Sequence, residues 1–518
     1  MIKLRKLVAI SLVFLLHACA GLPPQTARPL TYALDDTQAT RLGAVFGPTE
    51  QEHPGSNAFH LLSDGVSALV ARIVLTEAAD RTLDLQYYIW HDDLTGRELA
   101  ASLLRAADRG VRVRVLLDDL GTNADDQRLL ALNAHPNIKI RLFNPVASRN
   151  FKMIGTVFEF SRVNRRMHNK ALIADNQGAI LGGRNIGDEY FGASSVVAFG
   201  DLDVLVHGPI VRKASNAFDE YWNSDASYPI DRLTGHRAEP DALAALRAKL
   251  DAYIASERDT PYVVDARERL VRAIDSRDAD FTWGQATLLY DDPSKITRGP
   301  GDTQGHLMSQ LKALDLQPTH EMLIVSPYFI PGERGVAWIR GLAGRGVRVT
   351  VLTNSLAATD VTAVHAGYQR YRKDLLAAGV HLYEMKPVIA DKTAEKKKST
   401  FGSSKASLHA KTYVFDRSSI FIGSMNLDPR SVELNTEIGI YCGSDGLAVQ
   451  VIDGIGSNLD RIAWRLDERF DPTGKSRIVW IQTAENGTVT ELDEEPGVSA
   501  LKRVSIWFLG LLPIESQL

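Results

Sequence analysis

The sequence predicts an α/β protein made of two tandem α/β/α repeats, related by a pseudo-twofold axis, with the active site between them. Strand-like and helix-like segments alternate along most of the 518 residues. The order of these segments recurs, at an offset of 236 residues from Gly110 to Gly346 and of 241 residues from His168 to His409. A His–Lys–Asp triplet also occurs in each half at one spacing. A nearly constant offset over several elements indicates a tandem duplication.

The first half contains an alternating series of predicted elements. In order, these are a helix over 61–79, a strand over 82–90, a helix over 96–109, a strand over 111–119, a helix near 125–134 and a strand over 138–143. Apolar β-branched runs bounded by Gly, Asp and Asn define the strands, and apolar residues at helical spacing define the helices. Strands that alternate with helices predict a mostly parallel sheet covered by helices.

The second half repeats this series. Its predicted elements are a strand over 322–330, a helix over 335–345, a strand over 346–355, a long helix near 363–378 and a strand over 380–385. The run GVRVTVLTNS matches GVRVRVLLDD of the first half, so we expect the two sheets to be built alike. Gly110 and Gly346 each follow the preceding helix, where a C-terminal glycine is common.

Composition shifts divide the chain further. We expect the first repeat over 60–225, a charged, Ala-rich helical connector over 226–285, the second repeat over 286–465 and a C-terminal extension over 466–518. In the extension, Asn486-Gly487 between alternating apolar residues predicts a hairpin. Residues 504–514 are apolar but too few to span a bilayer, and they are either packed core or a membrane-contacting element.

The N-terminus has the pattern of an export signal. Three basic residues precede an apolar run over 7–16, and Ala18-Cys19 resembles the cleavage box of bacterial lipoproteins, in which the Cys is lipidated. A simple secretory signal and an uncleaved anchor are the alternatives. With lipidation at Cys19, residues 1–19 are a signal peptide and 20–59 a linker or surface arm. The protein would then be anchored by acyl chains in the bacterial cell envelope, facing the periplasm.

The bulk composition excludes several classes of protein. A net charge of -4 argues against a dedicated nucleic-acid binder, which usually carries a basic domain. With Cys19 lipidated, Cys442 is the one remaining cysteine and has no disulfide partner. The Lys-rich loop of Lys392, Lys396, Lys397 and Lys398 either attracts anionic headgroups or is a solvated charge run.

The two triplets carry the chemistry. They are His168, Lys170 and Asp175 in HNKALIAD, and His409, Lys411 and Asp416 in HAKTYVFD. Residues two apart in a strand face one side, so each His points with its Lys into a common cleft. An ammonium and an imidazole suit a phosphate, because the Lys supplies charge to oxygens while the His attacks phosphorus or transfers a proton. Asn185 and Asn426 follow as further donors.

Two half-sites brought together would place two imidazoles across one phosphorus. One neutral His would form a phosphohistidine while the other, protonated, would donate to the leaving alcohol, which requires one lowered and one raised proton affinity. We expect Asp203 and Glu437, which follow the triplets, to accept hydrogen bonds from the rings. A metal site is disfavoured because Lys is a poor ligand, and no cofactor is expected.

The segments HNKALIADNQGAILGGRNIGDEYF and HAKTYVFDRSSIFIGSMNLDPRS resemble the paired motifs of the phospholipase D superfamily. The surrounding sequence resembles more narrowly the bacterial cardiolipin synthases of the C type. The resemblance implies that His168 and His409 are catalytic, and that Lys170, Lys411, Asn185 and Asn426 bind phosphate. It also implies that Asp175 and Asp416 support the site more than they touch substrate.

The reaction implied is phosphatidyl exchange, in which phosphatidylglycerol and a second phospholipid, phosphatidylethanolamine among the candidates, give cardiolipin at a membrane. The alternatives are a hydrolytic phospholipase D that releases phosphatidic acid, a phosphodiesterase acting on nucleic acid, and a lipoprotein that only binds anionic lipid. The motifs do not separate transfer from hydrolysis, because both share the first half-reaction.

Overall fold

The structure is a computed structural model of the chain. It describes residues 21–25, 28–122, 125–149, 152–194, 197–275, 280–299, 301–389, 405–484, 486–510 and 515–518. The predicted signal peptide with Cys19 and the Lys-rich loop at 392–398 lie outside the described residues, so the predictions made for them stay predictions.

The described residues up to 275, which include the N-terminal arm, contain nine strands and eleven helices. The strands are β1 (Asn57–Leu62), β2 (Thr82–Tyr87), β3 (Arg112–Asp118), β4 (Ile138–Phe143), β5 (Ala171–Ala174), β6 (Gly178–Gly182), β7 (Val197–Gly200), β8 (Asp203–His207) and β9 (Ser227–Pro229). The helices are α1 (Arg41–Glu52), α2 (Gly65–Ala78), α3 (Leu94–Asp108), α4 (Asp126–Asn133), α5 (Lys152–Phe158), α6 (Phe160–Val163), α7 (Asp188–Phe191), α8 (Pro209–Asn223), α9 (Ile230–Thr234), α10 (Ala242–Glu257) and α11 (Pro261–Asp275).

The remaining described residues form the second repeat and the C-terminal extension. The strands are β10 (Thr282–Tyr290), β11 (Glu321–Val325), β12 (Arg348–Asn354), β13 (His381–Met385), β14 (Val388–Ile389), β15 (Lys405–Leu408), β16 (Lys411–Phe415), β17 (Ser419–Gly423), β18 (Ile438–Gly443), β19 (Ala463–Phe470), β20 (Ser476–Thr483) and β21 (Val489–Leu492). The helices are α12 (Leu307–Ala313), α13 (Gly332–Gly344), α14 (Thr362–Gln369), α15 (Arg372–Ala377), α16 (Asp445–Gly456), α17 (Leu459–Ile462) and α18 (Ala500–Gly510), with single 3₁₀ turns at Pro293–Ile296 and Glu515–Gln517 and a π turn at Arg430–Leu434.

The two sheets have the same strand order, which confirms the duplication. The first runs β9-β4-β3-β2-β5-β6-β8-β1, and the second runs β19-β13-β12-β11-β16-β17-β18-β10, continued by β20 and β21. Strand β1 pairs with β10 in antiparallel register, Asn57 opposite Gly284, and so joins the sheets.

The prediction of mostly parallel sheets is wrong in part. The three predicted strands of each half do pair in parallel, as β2-β3-β4 and β11-β12-β13. The strands that carry the triplets and the strands after them are antiparallel neighbours joined by hairpins. Short turns such as Asp175-Asn176 and Asp416-Arg417, with φ near 50° at each residue, allow this return.

Two predicted helices differ from the structure. The helix expected over 61–79 begins at Gly65, because Asp64 caps it by accepting from the Ser67 N–H at 2.9 Å, and the preceding residues form β1. The long helix near 363–378 is two helices, α14 and α15, which are separated at Arg370 and Tyr371. Within the described ranges, no helix combines the length and apolarity needed to cross a membrane.

A single apolar core runs across the two repeats and fixes their relative position. It includes Met167 and Val204 of the first repeat together with Leu408 and Ile438 of the second, each less than a tenth exposed. Along the chain, Met167 directly precedes His168 and Leu408 directly precedes His409. Burial of this shared core therefore holds the two triplets against each other.

Segments outside the two sheets pack against them. The connector helices α10 and α11 lie on α3 and α2 of the first repeat. Residues of the N-terminal arm lie against α8, where the Ala33 N–H donates to Asp219 Oδ2 at 2.8 Å. In the C-terminal extension the hairpin predicted at Asn486-Gly487 is present, since β20 and β21 pair in antiparallel fashion.

Candidate active site

The histidine and lysine of each triplet meet those of the other at the junction of the repeats, each pair at the start of a buried strand. His168 and Lys170 directly precede β5, and His409 precedes β16, which begins at Lys411. His168 is 9% exposed and His409 7%, while both lysines are 1% exposed. Four chemically active side chains are therefore gathered in one desolvated place, where electrostatic interactions are stronger than in water.

The first histidine is held by the second repeat. The His168 N–H donates to the Thr436 carbonyl at 2.8 Å, beside a strand-like bridge between Met167 and Thr436. Its ring Nδ1 lies 2.9 Å from Glu437 Oε2 and 3.1 Å from the Ser424 carbonyl oxygen. Because both partners only accept, Nδ1 carries a proton and donates.

The second histidine is held by the first repeat. The His409 N–H donates to the Gly200 carbonyl at 2.8 Å, where β7 and β15 pair in parallel. Its Nδ1 lies 2.6 Å from Asp201 Oδ2, a carboxylate that is fully buried on its side chain. Each ring is thus oriented by a carboxylate of the opposite repeat.

The structure confirms a contact between Glu437 and a motif histidine, but the prediction for Asp203 is wrong. Asp203 Oδ2 is instead paired with Arg72 at 2.8 Å and lies 3.3 Å from the Arg184 side chain. The register explains the error: Gly182 pairs with Asp203, whereas Gly423 pairs with Gly439. The residue that corresponds to Glu437 is therefore two positions earlier, at Asp201.

Small residues beside the carboxylates make room for them. A Cβ atom at Gly183 would lie 2.1 Å from Asp201 Oδ1, so no side chain fits there. In the second repeat the same position is Ser424, whose hydroxyl donates to Glu437 Oε2. The sequence alone did not predict that this position borders the carboxylate.

Each lysine is tied to its own motif. Lys170 Nζ donates to the His168 carbonyl, and Lys411 Nζ donates to the His409 carbonyl. Burial lowers the pKa of Lys411 to about 8 and lowers that of Lys170 well below its usual range, while Glu437 and Asp201 oppose this effect. The lysines can therefore lose their charge at mildly alkaline pH unless an anion binds.

Both histidines have a lowered pKa in the ligand-free site. The expectation that one pKa is lowered and the other raised is therefore wrong for this ligand-free state. Burial lowers the pKa of His168 to about 4, against the attraction of Glu437 and with help from Lys170 and Lys411. Burial and Lys411 likewise lower the pKa of His409, while Asp201 raises it. Burial would raise the pKa of Glu437 and of Asp201, but interaction with His168 and Lys170 lowers that of Glu437, and interaction with His409, Lys411 and Arg184 lowers that of Asp201.

The two asparagines have different partners. Asn185 Oδ1 accepts from the Ile89 N–H at 3.2 Å, which ties it to the strand end of the first repeat. Asn426 is 3% exposed and its Oδ1 has no hydrogen-bond partner among the described residues. An unpaired buried amide is costly unless a ligand completes it, so its position fits ligand binding.

The motif aspartates lie far from the rings. Asp175 accepts from the N–H groups of Asp80, Arg81 and Thr82 at 2.7–2.8 Å, and Asp416 accepts in the same way from residues 319–321 at 2.7–2.9 Å. Asp175 is five residues along the strand from Lys170, about 16 Å away. These contacts anchor the neighbouring strand and do not reach the reacting groups, which agrees with the supporting role implied by the resemblance.

Two tyrosines next to the rings were missed by the sequence analysis. Tyr88 lies edge-on to His168 with ring centroids 5.1 Å apart, and Tyr190 lies edge-on to His409 at 5.2 Å. Tyr88 directly follows β2 and has a counterpart, Tyr328, 240 residues later. That offset, applied to aromatic residues, was the signal that could have identified Tyr88.

Two clusters of the described residues have the spacing of metal ligands, and neither contains a triplet residue. They are His91 with Asp93 and Glu189, and His365 with Glu384 and Glu495. In the second, Arg372 pairs with Glu384 at 2.7 Å and Glu495 at 2.6 Å, so a guanidinium already occupies the place of a cation. In the first, Asp93 accepts from the N–H groups of Gly96 and Asp188.

Known proteins are similar to this chain in sequence and in fold. A family model described as cardiolipin synthase, PLD-like domain, matches residues 73–222 and 314–457. The chain is 40% identical over 492 residues to cardiolipin synthase C of Escherichia coli K12, which covers 92% of this chain and 99% of that protein. It is 32% identical over 515 residues to an uncharacterised protein of Helicobacter pylori, with 97% of each covered.

A crystal structure of the phosphatidylserine synthase of Haemophilus influenzae Rd KW20 has the same fold. The TM-score is 0.53 at 16% sequence identity, and the match covers 82% of this chain and 92% of that one. The family model matches both repeats, including both triplets, and the E. coli relative is similar along nearly its whole length. The chain therefore belongs to the cardiolipin synthase family with paired phospholipase D-like domains.

Proposed function

We propose that the protein is a phospholipase D-type phosphatidyltransferase that makes cardiolipin from phosphatidylglycerol and a second phospholipid. The observation that carries the proposal is the pair of imidazoles, each buried beside a lysine and oriented by a carboxylate of the other repeat. The family membership and the E. coli relative support the choice of lipid substrates. Lys170, Lys411, Asn185 and Asn426 are the proposed phosphate ligands.

The proposed reaction has two displacements at one phosphorus. One histidine attacks the phosphodiester through Nε2, forms an N–P bond and breaks the bond to the headgroup oxygen, which takes a proton from the other ring. The primary hydroxyl of phosphatidylglycerol then gives its proton to that ring and attacks phosphorus, which releases the first histidine. One phosphodiester replaces another, so no nucleotide is consumed. We assign His168 as the nucleophile by analogy with the family.

The ligand-free protonation states suit the first step. A neutral His168 is a competent nucleophile at neutral pH because its pKa is about 4. The second ring must carry a second proton, on Nε2, and the negative charge of a bound phosphodiester beside it would raise its pKa. Substrate would thus create the difference between two rings that both have low proton affinity without it.

A lipid product assay tests the proposal. Purified protein is incubated with phosphatidylglycerol, with and without phosphatidylethanolamine, beside matched His168→Ala and His409→Ala variants. We expect cardiolipin from the wild type and a loss of roughly 10⁴-fold or more in both variants. Phosphatidic acid in place of cardiolipin would make water the acceptor, and equal turnover by the variants would remove the paired site from the reaction.

The proposed location follows from the lipid substrates and the N-terminal signal. Acylation of Cys19 would hold the enzyme at the membrane of the cell envelope, on the periplasmic side. Labelling of cells with a fatty-acid analogue tests this, with Cys19→Ser as the control. Label that persists in Cys19→Ser would contradict an acyl anchor at that residue.

A further inference from the structure

Two exposed apolar helix faces have no part in the chemistry proposed above. On α5, which lies shortly before the His168 motif, Met153 is 85% exposed and Val157 73%. On α18, in the C-terminal extension, Leu501 is 80% exposed and Val504 52%. Residues three or four apart share one face of a helix, so each helix presents an apolar stripe to solvent.

The α5 stripe is connected to the first half-site through the contact between Asn164 and Arg430. The residue after α6, Asn164, binds Arg430 through its carbonyl at 3.0 Å and its side chain at 2.8 Å. Arg430 also donates to the carbonyl of Gln517 at 3.1 Å, close to the C-terminus. The Asn435 N–H donates to the Arg430 carbonyl at 2.8 Å, and the next residue, Thr436, accepts from the His168 N–H at 2.8 Å.

The second stripe lies beside the other half-site. Lys502 Nζ on α18 donates to the Leu356 carbonyl at 2.8 Å, and Ile506, 3% exposed, packs on Leu356. Two residues before Leu356, the Asn354 side chain donates to the Leu408 carbonyl at 3.0 Å and accepts from its N–H at 2.9 Å. Leu408 precedes the second motif histidine, so α18 is fastened to the loop that supports it.

The charge around the stripes favours an anionic surface. Arg149, Lys152 and Arg166 are paired with Asp118, Asp119 and Asp126, and their charge is offset. Arg165, Arg430 and Lys502 instead donate to backbone carbonyls, contacts that do not offset their positive charge. Basic residues next to an exposed apolar face are typical of segments that lie in the interface of a membrane with anionic lipids. A phospholipid must also bring its phosphate to the rings while its acyl chains stay in an apolar phase.

We propose that α5, α6 and α18 form one membrane-docking face, which seats the entrance of the paired half-sites against a phospholipid bilayer. This proposal rests on the proposed function, because a lipid substrate is what requires the entrance to face a membrane. The apolar stripes enter the boundary between headgroups and acyl chains, and the positive charge of Arg165, Arg430 and Lys502 attracts the anionic headgroups.

Site-specific fluorescence tests the docking face directly. In the full chain with Cys19→Ser, Cys442 is the one remaining cysteine and is fully buried, so a cysteine introduced on the surface can be labelled alone. An environment-sensitive dye is placed at Val157→Cys, at Val504→Cys and, as a control, at Val489→Cys on β21, where the native residue is 64% exposed. We expect vesicles of phosphatidylglycerol and phosphatidylcholine to shift the emission at the first two positions and not at the third.

Charge variants test whether the face serves turnover. We expect the variants Met153→Glu with Val157→Glu, and Leu501→Glu with Val504→Glu, to weaken vesicle binding and vesicle turnover about tenfold or more. Turnover of a short-chain phospholipid that is monomeric in solution should stay within about twofold, because the rings are untouched. The matched pair Phe470→Glu with Val489→Glu should change neither.

The outcomes separate the two proposals. Dyes at 157 and 504 that do not respond to vesicles overturn the docking face, and so does a shift that depends on protein concentration without lipid, which would mean that a second copy covers the stripes. Turnover with unresponsive dyes leaves the proposed function standing. Responsive dyes without any phospholipid turnover support the docking face and contradict the proposed function.

Discussion

The two half-sites have the same arrangement of histidine, lysine and carboxylate, but they differ in the carboxylate residue and in the residue beside it. In the first, the ring of His168 is held by Glu437, and Ser424 supports that carboxylate with its hydroxyl. In the second, the ring of His409 is held by the shorter Asp201, and the position equivalent to Ser424 is Gly183. The crossing of carboxylates between repeats means that neither half-site is complete alone. The differences in length and support give two similar rings separate environments, as a two-step displacement requires.

Removal of either orienting carboxylate should have the largest effect after loss of the rings. We expect Glu437→Gln and Asp201→Asn to lower kcat by roughly 10²- to 10⁴-fold, because an amide no longer fixes the ring tautomer. With His168 as nucleophile, Glu437→Gln should slow the first release of headgroup, whereas Asp201→Asn should also slow transfer to the acceptor. Rapid-quench measurement of headgroup release checks this.

Asp203→Asn is the matched control for that comparison. Asp203 is buried against Arg72 and Arg184, so its loss should lower the free energy of unfolding and leave the ratio of the two half-reactions unchanged. A kinetic effect of Asp203→Asn equal to that of Asp201→Asn would contradict the assignment.

A substitution at Gly183 should lower kcat more than a substitution at the equivalent position, Ser424. A methyl group at Gly183 would meet Asp201 Oδ1 at 2.1 Å, so Gly183→Ala should displace the carboxylate and lower kcat by about 10²-fold. Ser424→Gly removes one hydrogen bond to Glu437 and should cost about 5- to 10-fold. Steady-state kinetics of the two variants decide the order, and the reverse order would contradict the difference between the half-sites.

The pH dependence should reveal the lysine of the second half-site. The pKa of Lys411 is lowered to about 8, so it is charged below this pH and loses its charge as the pH rises through it. Because His409 must be protonated to act as the acid, we expect kcat/KM to fall with rising pH from the lowered pKa of His409, and to fall more steeply above pH 8 as Lys411 loses its charge. On the acid side kcat/KM should fall near pH 4 as His168 is protonated.

Lys411→Arg provides the control for the alkaline limb. A guanidinium stays charged throughout, so this variant should lack the steeper fall of kcat/KM above pH 8, whatever its absolute level. An unchanged alkaline limb in Lys411→Arg would assign the limb to another group.

The motif aspartates should affect stability more than chemistry, and unequally. Asp175 is fully buried and accepts three backbone N–H groups, so Asp175→Ala should lower the free energy of unfolding by about 2–4 kcal/mol. Asp416 is more exposed, and Asp416→Ala should cost about 1–2 kcal/mol. Asn tolerates the positive φ at both positions, so Asp→Asn variants should lie in between. Urea unfolding measures these values, and equal losses would contradict the dependence on burial.

Sequence reasoning found the repeats, the parallel strands and the triplets because each leaves a periodic or recurring pattern. It missed Asp201 because the pairing of β6 with β8 fixes which residue faces the ring, and pairing register is a tertiary property. Alignment of DLDVL with EIGIY places Asp201 opposite Glu437, so the information was present in the repeat. It missed β1 because NAFHLL runs into a helix and pairs with strands far along the chain.

The protonation states of the two motif histidines could not be predicted from the sequence either. The nearby carboxylates alone predicted that the pKa values of the two rings would shift in opposite directions. The dominant effect is burial, which acts on both rings alike, and two lysines that converge from the two repeats add to it. Neither the depth of the site nor the proximity of Lys170 to His409 can be read from the spacing within one triplet.

The most direct test of the central claim is a crystal structure with tungstate or vanadate bound as a mimic of the transferred phosphoryl group. We predict one oxyanion between the repeats, bonded to Nε2 of one motif histidine, with Nε2 of the other facing its opposite apical oxygen and with Glu437 and Asp201 still on the Nδ1 atoms. Two ions in separate cavities, or one ion that contacts a single ring while the other turns away, would contradict it.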